Sequence, residues 1–112
     1  MGNHRNLRVL DAAQWVADTI HRFLRLNRGI LNAEQLSKSA NSIPANIVEG
    51  FGRDPGRDRN RFLRNARSSS EETNEHWREA HEAKQVDHSL YWSVHHRLVA
   101  IVRMLNSLMA QG

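Results

Sequence analysis

Arg53, Arg57, Arg61, Arg64 and Arg67 follow one another at steps of three or four residues. On a helix, Arg57, Arg61 and Arg64 share one face, with Arg53 and Arg67 at either end of the run. A guanidinium stays charged at any working pH and presents a fork of donors that matches a phosphate or a carboxylate. The chemistry within reach of such a row is anion binding rather than bond making. Against phosphates it gives nucleic-acid binding that is salt-sensitive and largely blind to sequence. The plainer reading is a solvated face tied up in ion pairs within the chain. A third reading pairs the row with Glu71, Glu75, Glu79 or Glu82 of another copy. Aromatics for base stacking are few, so duplex DNA or structured RNA suits the row better than a single strand.

A second polar group lies just upstream. Ser42, Pro44, Asn46 and Glu49 sit in an otherwise apolar segment, and Glu72 follows one element later. These groups could hold a ligand or a proton. The simpler reading is structural: they hydrogen-bond across helices and fix a bent one, because buried polar groups cost free energy unless paired. Arg53, Arg64 or Arg67 could supply the countercharge to either carboxylate.

Other chemistries find little support. A di-iron bundle needs several inward carboxylates and paired Glu-x-x-His motifs. No Glu-x-x-His occurs, Asp18 and His21 form a lone Asp-x-x-His, and the last helix has no acid beyond Asp87 at its start. His76, His95 and His96 therefore read as solvated or packing residues, and no metal or cofactor is expected. Cysteine is absent and Ser68-Ser69-Ser70 has no positioned base, so no nucleophile is apparent. Gly50-Phe51-Gly52-Arg53 lacks the spacing and strand context of a phosphate-cradling loop. The expectation is a protein that is not an enzyme.

The frame that must position these residues is a chain of 112 residues, one domain by size. Without cysteine it has no disulfide to hold it and depends on an apolar core. No run of roughly 18 apolar residues is present to span a membrane. No apolar run follows Met1-Gly2-Asn3-His4-Arg5 as it would in a secretory signal. A soluble cytoplasmic protein is the expectation. The formal net charge is +4, with fourteen Arg against two Lys, and it is unevenly spread. Residues 53–67 hold six Arg against two Asp, while residues 71–82 hold five Glu against one Arg.

Apolar residues recur at helical spacing nearly throughout, and no segment alternates at period two. Val9, Ala13, Val16, Ile20 and Phe23 form one stripe. Ala33, Leu36, Ala40, Ile43, Ile47 and Phe51 form a second. Phe62, Ala66, Ser69, Thr73, Trp77 and Ala80 form a third that is small and polar in its middle. Tyr91, Val94, Leu98, Ile101, Leu105 and Leu108 form a fourth. The pattern predicts helices over about 7–28, 32–52, 55–84 and 88–110. Short connections then imply an all-α, antiparallel up-and-down four-helix bundle. Pro44 falls inside the second stripe, which predicts one proline-kinked helix rather than a new start capped by Ser42 or Ile43. Asp54-Pro55 reads as N-cap and first position of the third helix, and Asp87 as N-cap of the fourth. The ends, Met1 to about Asn6 and Gln111-Gly112, are expected to fray. Trp77 lies on its stripe and is expected in the core. Trp15 and Trp92 lie beside theirs, which suits anchors of a self-association interface.

Ser42-Ile43-Pro44-Ala45-Asn46-Ile47-Val48-Glu49-Gly50-Phe51-Gly52-Arg53 resembles the signature S-I-P-x-N-I-x-E-G-x-G-R of the 23S rRNA-intervening-sequence (S23) family. Arg61-Phe62-Leu63-Arg64-Asn65-Ala66-Arg67-Ser68-Ser69 is similar to that family's R-F-L-x-x-A-x-G-S run, with Glu72 matching a following glutamate. Val102 to Leu108 resembles the end of its last helix. The resemblance spans about Leu7 to Met109. The chain departs from the pattern at Arg59 and Asn60, at Ser68, and at Ser70 and Thr73, where leucine is usual. The resemblance implies a bacterial four-helix bundle, often a ring-shaped homopentamer, of unassigned biochemical role. Distant similarity to the basic accessory proteins of diversity-generating retroelements implies a partner that is nucleic acid or a nucleic-acid enzyme. The combined expectation is a non-catalytic homo-oligomeric scaffold with a basic surface. The alternative is a protein-interaction module whose arginines serve self-assembly.

Overall fold

The computed structural model describes residues 4–111. Four helices account for nearly all of them: α1 (His4–Leu26), α2 (Ala33–Phe51), α3 (Arg57–Glu82) and α4 (His88–Gln111). They pack around a square, α1 and α3 each touching α2 and α4, in a body of 42 × 22 × 18 Å. Paired residues give the directions. Along α2 and α3 the partners are Asn32 with Glu79, Ser39 with Thr73 and Ser42 with Ser69. Along α3 and α4 they are Asn60 with Met109, Asn74 with His95 and Trp77 with Tyr91. One number falls as the other rises in each set, so both neighbouring pairs run in opposite directions.

Most of the four predicted stripes lies in the core, joined by Leu63, while Ala33, Phe51 and Leu108 are half-buried at its ends. Val9, Val16, Ile20, Leu36, Ile43, Ile47, Leu63, Trp77, Val94, Leu98, Ile101 and Leu105 are all buried. On α3 the buried line is Leu63, Ala66, Ser70, Thr73, Trp77 and Ala80, which leaves Phe62 and Ser69 half-buried on its flank. Trp77 is the largest of these fully buried side chains. Its ring meets Phe23 edge-on at 5.3 Å, and its Nε1 donates to the Tyr91 carbonyl at 3.1 Å. A buried indole needs that acceptor.

Helix α2 continues through Pro44, which is buried within it. Proline has no N–H, so the Ala40 carbonyl forgoes its usual amide partner. One turn away, Asn46 Nδ2 donates to both the Ser42 carbonyl and Ser42 Oγ at 2.9 Å. Asp87 caps α4 as expected, its carboxylate accepting from the Leu90 amide at 3.2 Å.

Three boundaries differ from expectation. Helix α3 begins at Arg57, not at Asp54-Pro55, and its N-cap is Gly56 at φ 131°. That backbone conformation is open to glycine and closed to most other residues, so the chain turns there after Pro55 rather than at it. The ends are also more regular than expected, with α1 helical from His4 and α4 to Gln111; Met1–Asn3 and Gly112 lie outside the described residues.

Helix α3 ends in a double backbone closure. The Gln85 amide donates to the Ala80 carbonyl at 3.0 Å and the Lys84 amide to the His81 carbonyl at 2.9 Å. This closure requires a left-handed residue at Lys84, where φ is 63°. The Gln85 side chain then ties this loop to the α1–α2 loop, donating to the Gly29 carbonyl and accepting from the Leu31 amide.

Candidate nucleic-acid interface

The α2–α3 turn and the first two turns of α3 carry the arginine row. Their position depends on Gly50 and Arg59. A Cβ on Gly50 would stand 3.1 Å from Leu63 Cδ2 and 3.2 Å from Phe62 Cβ, so glycine lets the start of α3 lie this close to α2 without Leu63 and Phe62 giving way by a few tenths of an ångström. Arg59 closes the end of α2. Its Nε reaches the carbonyls of Gly50 and Arg53 at 3.2 and 3.1 Å, and its Nη2 reaches Arg53 O at 2.7 Å. A cation on exposed C-terminal carbonyls also complements the helix dipole. This accounts for a charged residue at Arg59, one of the positions named above as a departure from the resembled pattern. Arg59 is structural, and the acceptor-rich end of α2 just before it was the signal available in the sequence.

Arg57, Arg61 and Arg64 line one open depression on α3, together with Asp58. Asp58 bridges two of the arginines, at 3.0 Å to Arg61 and 3.3 Å to Arg53. The hydrogen bond from Arg61, with the charge of Arg53 behind it, holds the Asp58 carboxyl below the usual aspartate range. Asp58 therefore stays ionised and offsets part of the row. Arg53 also pairs with Glu49 at 2.8 Å, and that hydrogen bond raises its pKa above the usual guanidinium value. The guanidiniums of Arg53 and Arg61 both lie over the Phe62 ring, at 4.8 and 4.6 Å. Phe62 and Asp58 thus hold these two cations in place. Arg57 and Arg64 are exposed and make no ion pair or hydrogen bond with the described residues.

Arg67 does not join the row. It turns to α4, where Nη1 donates to Asn106 Oδ1 at 2.7 Å. Three residues beyond Arg64 the helix surface has rotated toward α4, so the same spacing that continues the row also carries it off the face.

The second polar group separates into two parts. Ser42 bonds across helices, its Oγ meeting Ser69 Oγ at 2.8 Å, while Asn46 holds Ser42 from within α2. Glu49 and Glu72 do not. Both are exposed, with Glu49 paired to Arg53 and Glu72 3.6 Å from His76 on its own helix. They stand two residues after Ile47 and one before Thr73, which turns both outward. The buried cross-helix bond is instead Thr73 Oγ1 to Ser39 Oγ at 2.8 Å.

Trp15 is half-buried beneath Arg97, whose guanidinium stands 4.1 Å from its ring. Trp92 is 39% exposed among His88, His95 and His96. His95 Nδ1 lies 3.0 Å from Asn74 Oδ1, which accepts from the ring N–H, and burial, reinforced by His96, lowers the His95 pKa. Among the described residues no group of three or more His, Asp or Glu is placed to hold a metal ion. No described helix is long and apolar enough to cross a membrane.

A family model described as 23S rRNA-intervening sequence protein matches residues 5–107. Among solved structures, a protein with unknown function from the S23 ribosomal protein family of Bacteroides thetaiotaomicron superposes with a TM-score of 0.82. It is 23% identical, and the match covers 90% of this chain and 97% of that one. At that identity the likeness establishes a shared fold. No curated protein matches the chain.

Proposed function

The chain belongs to the 23S rRNA-intervening sequence protein family, and on that premise we propose that it is a non-catalytic, homo-oligomeric scaffold that binds nucleic acid in the cytoplasm. Neither the family nor the structural neighbour points to a catalytic activity. The observation that carries the proposal is the state of the arginine row. Arg57 and Arg64 are exposed and unpaired among the described residues, on either side of Arg61, in one depression. Cations held on a rigid helix and not already neutralised are what a phosphate backbone engages, and several such contacts make binding strongly salt-dependent.

The acidic half of α3 favours this reading over Arg–Glu pairing between copies. Arg78 already spans Glu75 and Glu82 at 3.1 and 3.0 Å, and His76 lies between Glu72 and Glu79. Glu75 and Glu82, two of the four carboxylates that a neighbour's arginines would need, are thus paired to a cation within the chain. Self-association draws support from other residues. Trp92 and Val48 are exposed at 39% and 56%, the kind of apolar surface an interface covers. A ring of five, the assembly implied by the family resemblance, would present five copies of the row and convert weak contacts into strong ones through effective concentration.

Light scattering with and without a short RNA duplex at low salt tests both halves. The proposal expects a mass of several chains alone and a larger complex with duplex. A single-chain mass with no complex would defeat it.

A further inference from the structure

We propose a second anion site, on the opposite seam of the bundle, that takes a nucleoside carrying a terminal phosphomonoester. Arg5 and Arg8 of α1 and Arg103 of α4 converge on one depression, with Met104, Ser107 and Leu108 completing its lining. No carboxylate of the described residues lines it. Arg8 and Arg103 make no ion pair or hydrogen bond with the described residues. Arg5 donates through Nη2 to Ser107 Oγ across the helix seam, which fixes its guanidinium over the depression.

This arrangement differs in kind from the α3 row. There, Asp58 sits among the cations and offsets them. Here three guanidiniums, that of Arg5 fixed by Ser107, face one small space with no anion among the described residues that line it. A backbone phosphodiester brings one negative charge, whereas a terminal phosphomonoester brings up to about two at neutral pH and three free oxygens for guanidinium forks. The dianion is therefore the better match. Met104 and Leu108 give the depression an apolar floor. A methionine thioether and a leucine side chain suit the face of a planar ring next to the phosphate. A free nucleoside monophosphate and the 5′-phosphorylated end of a nucleic-acid strand share this chemistry.

The full-length protein is titrated by calorimetry and by amide chemical shifts with adenosine monophosphate, adenosine, inorganic phosphate, and a short duplex with and without 5′-phosphates. The proposal expects the monophosphate to bind more tightly than either adenosine or inorganic phosphate. Shifts should concentrate at Arg8, Arg103, Met104 and Leu108. Arg8→Ala and Arg103→Ala should each weaken binding by about tenfold, the loss typical of a charge-assisted contact. Arg57→Ala/Arg61→Ala/Arg64→Ala should leave it unchanged, which separates this site from the α3 row. In the Arg57→Ala/Arg61→Ala/Arg64→Ala variant, tighter binding of the 5′-phosphorylated duplex than of both the unphosphorylated duplex and the free monophosphate identifies a strand end as the source, and the reverse identifies the free nucleotide. Adenosine or inorganic phosphate binding as well as the monophosphate would overturn the proposal. So would binding that survives both arginine substitutions.

Discussion

Thr73 Oγ1 donates to Ser39 Oγ at 2.8 Å across the α2–α3 seam, with both residues buried. Small hydroxyl side chains at this level let two helices approach and give the seam one polar register mark. Removing one partner of such a bond costs about 1 kcal/mol or more, while removing both is closer to neutral. Thr73→Val and Ser39→Ala should therefore each destabilise the fold by about 1 kcal/mol, and the double variant by less than their sum. Urea denaturation of the four proteins measures the coupling; additive effects would show that the bond carries no energy of its own.

Lys84 holds the left-handed position that closes α3, at φ 63°. A side chain there costs roughly 1 kcal/mol that glycine avoids. Lys84→Gly should raise stability by up to about 1 kcal/mol, because the gain exceeds the extra freedom glycine has when unfolded. Thermal unfolding checks the sign, and a lower melting temperature would contradict this account of the closure.

Much of this architecture was legible in the sequence, for a physical reason. A stripe such as Val94-Leu98-Ile101-Leu105 states both the helix and its buried face, and Asp87 states where α4 begins. The failures arose where a local rule competed with tertiary geometry. Asp54-Pro55 carries good helix-start chemistry, but Gly56 permits a sharper turn, and the chain takes it. Glu49 and Glu72 sit close in sequence to core residues, yet a step of one or two positions on a helix turns a side chain by about 100° or 200°. The Asp58–Arg61 and Glu49–Arg53 pairs were visible as three- and four-residue spacings. That Arg67 leaves the row depends on Asn106, 39 residues away, which no local pattern reveals.

His95 makes stability pH-dependent. Burial lowers its folded-state pKa below the ordinary value, so below that value the unfolded chain binds more protons than the folded one. Its contribution is complete at neutral pH and is lost as pH falls through the ordinary histidine range near 6.5 toward the lower folded value. The melting temperature should drop between about pH 7 and about pH 5, and His95→Gln should flatten that part of the curve. An identical profile in wild type and variant would remove His95 as the cause.

Asp58 is the counter-ion of the arginine row, bound to Arg61 and Arg53. Asp58→Asn removes a negative charge from the centre of the proposed interface and frees Arg61, while Arg53 keeps its pair with Glu49. Because all three side chains are exposed, the fold should tolerate the change within about 1 kcal/mol. Affinity for a nucleic-acid duplex should rise about threefold, read by fluorescence anisotropy at fixed salt. Weaker binding would mean that Asp58 positions the arginines rather than offsets them.

The central claim is that Arg57, Arg61 and Arg64 contact phosphates. The direct measurement is the dependence of duplex DNA affinity on salt, in wild type and in Arg57→Ala/Arg61→Ala/Arg64→Ala. Each phosphate contact contributes about 0.9 to the slope of log affinity against log salt. The account predicts a triple variant of unchanged fold and assembly, weaker at every salt concentration, with a slope smaller by about 2 to 3. Equal affinity and equal slope in the two proteins would contradict it.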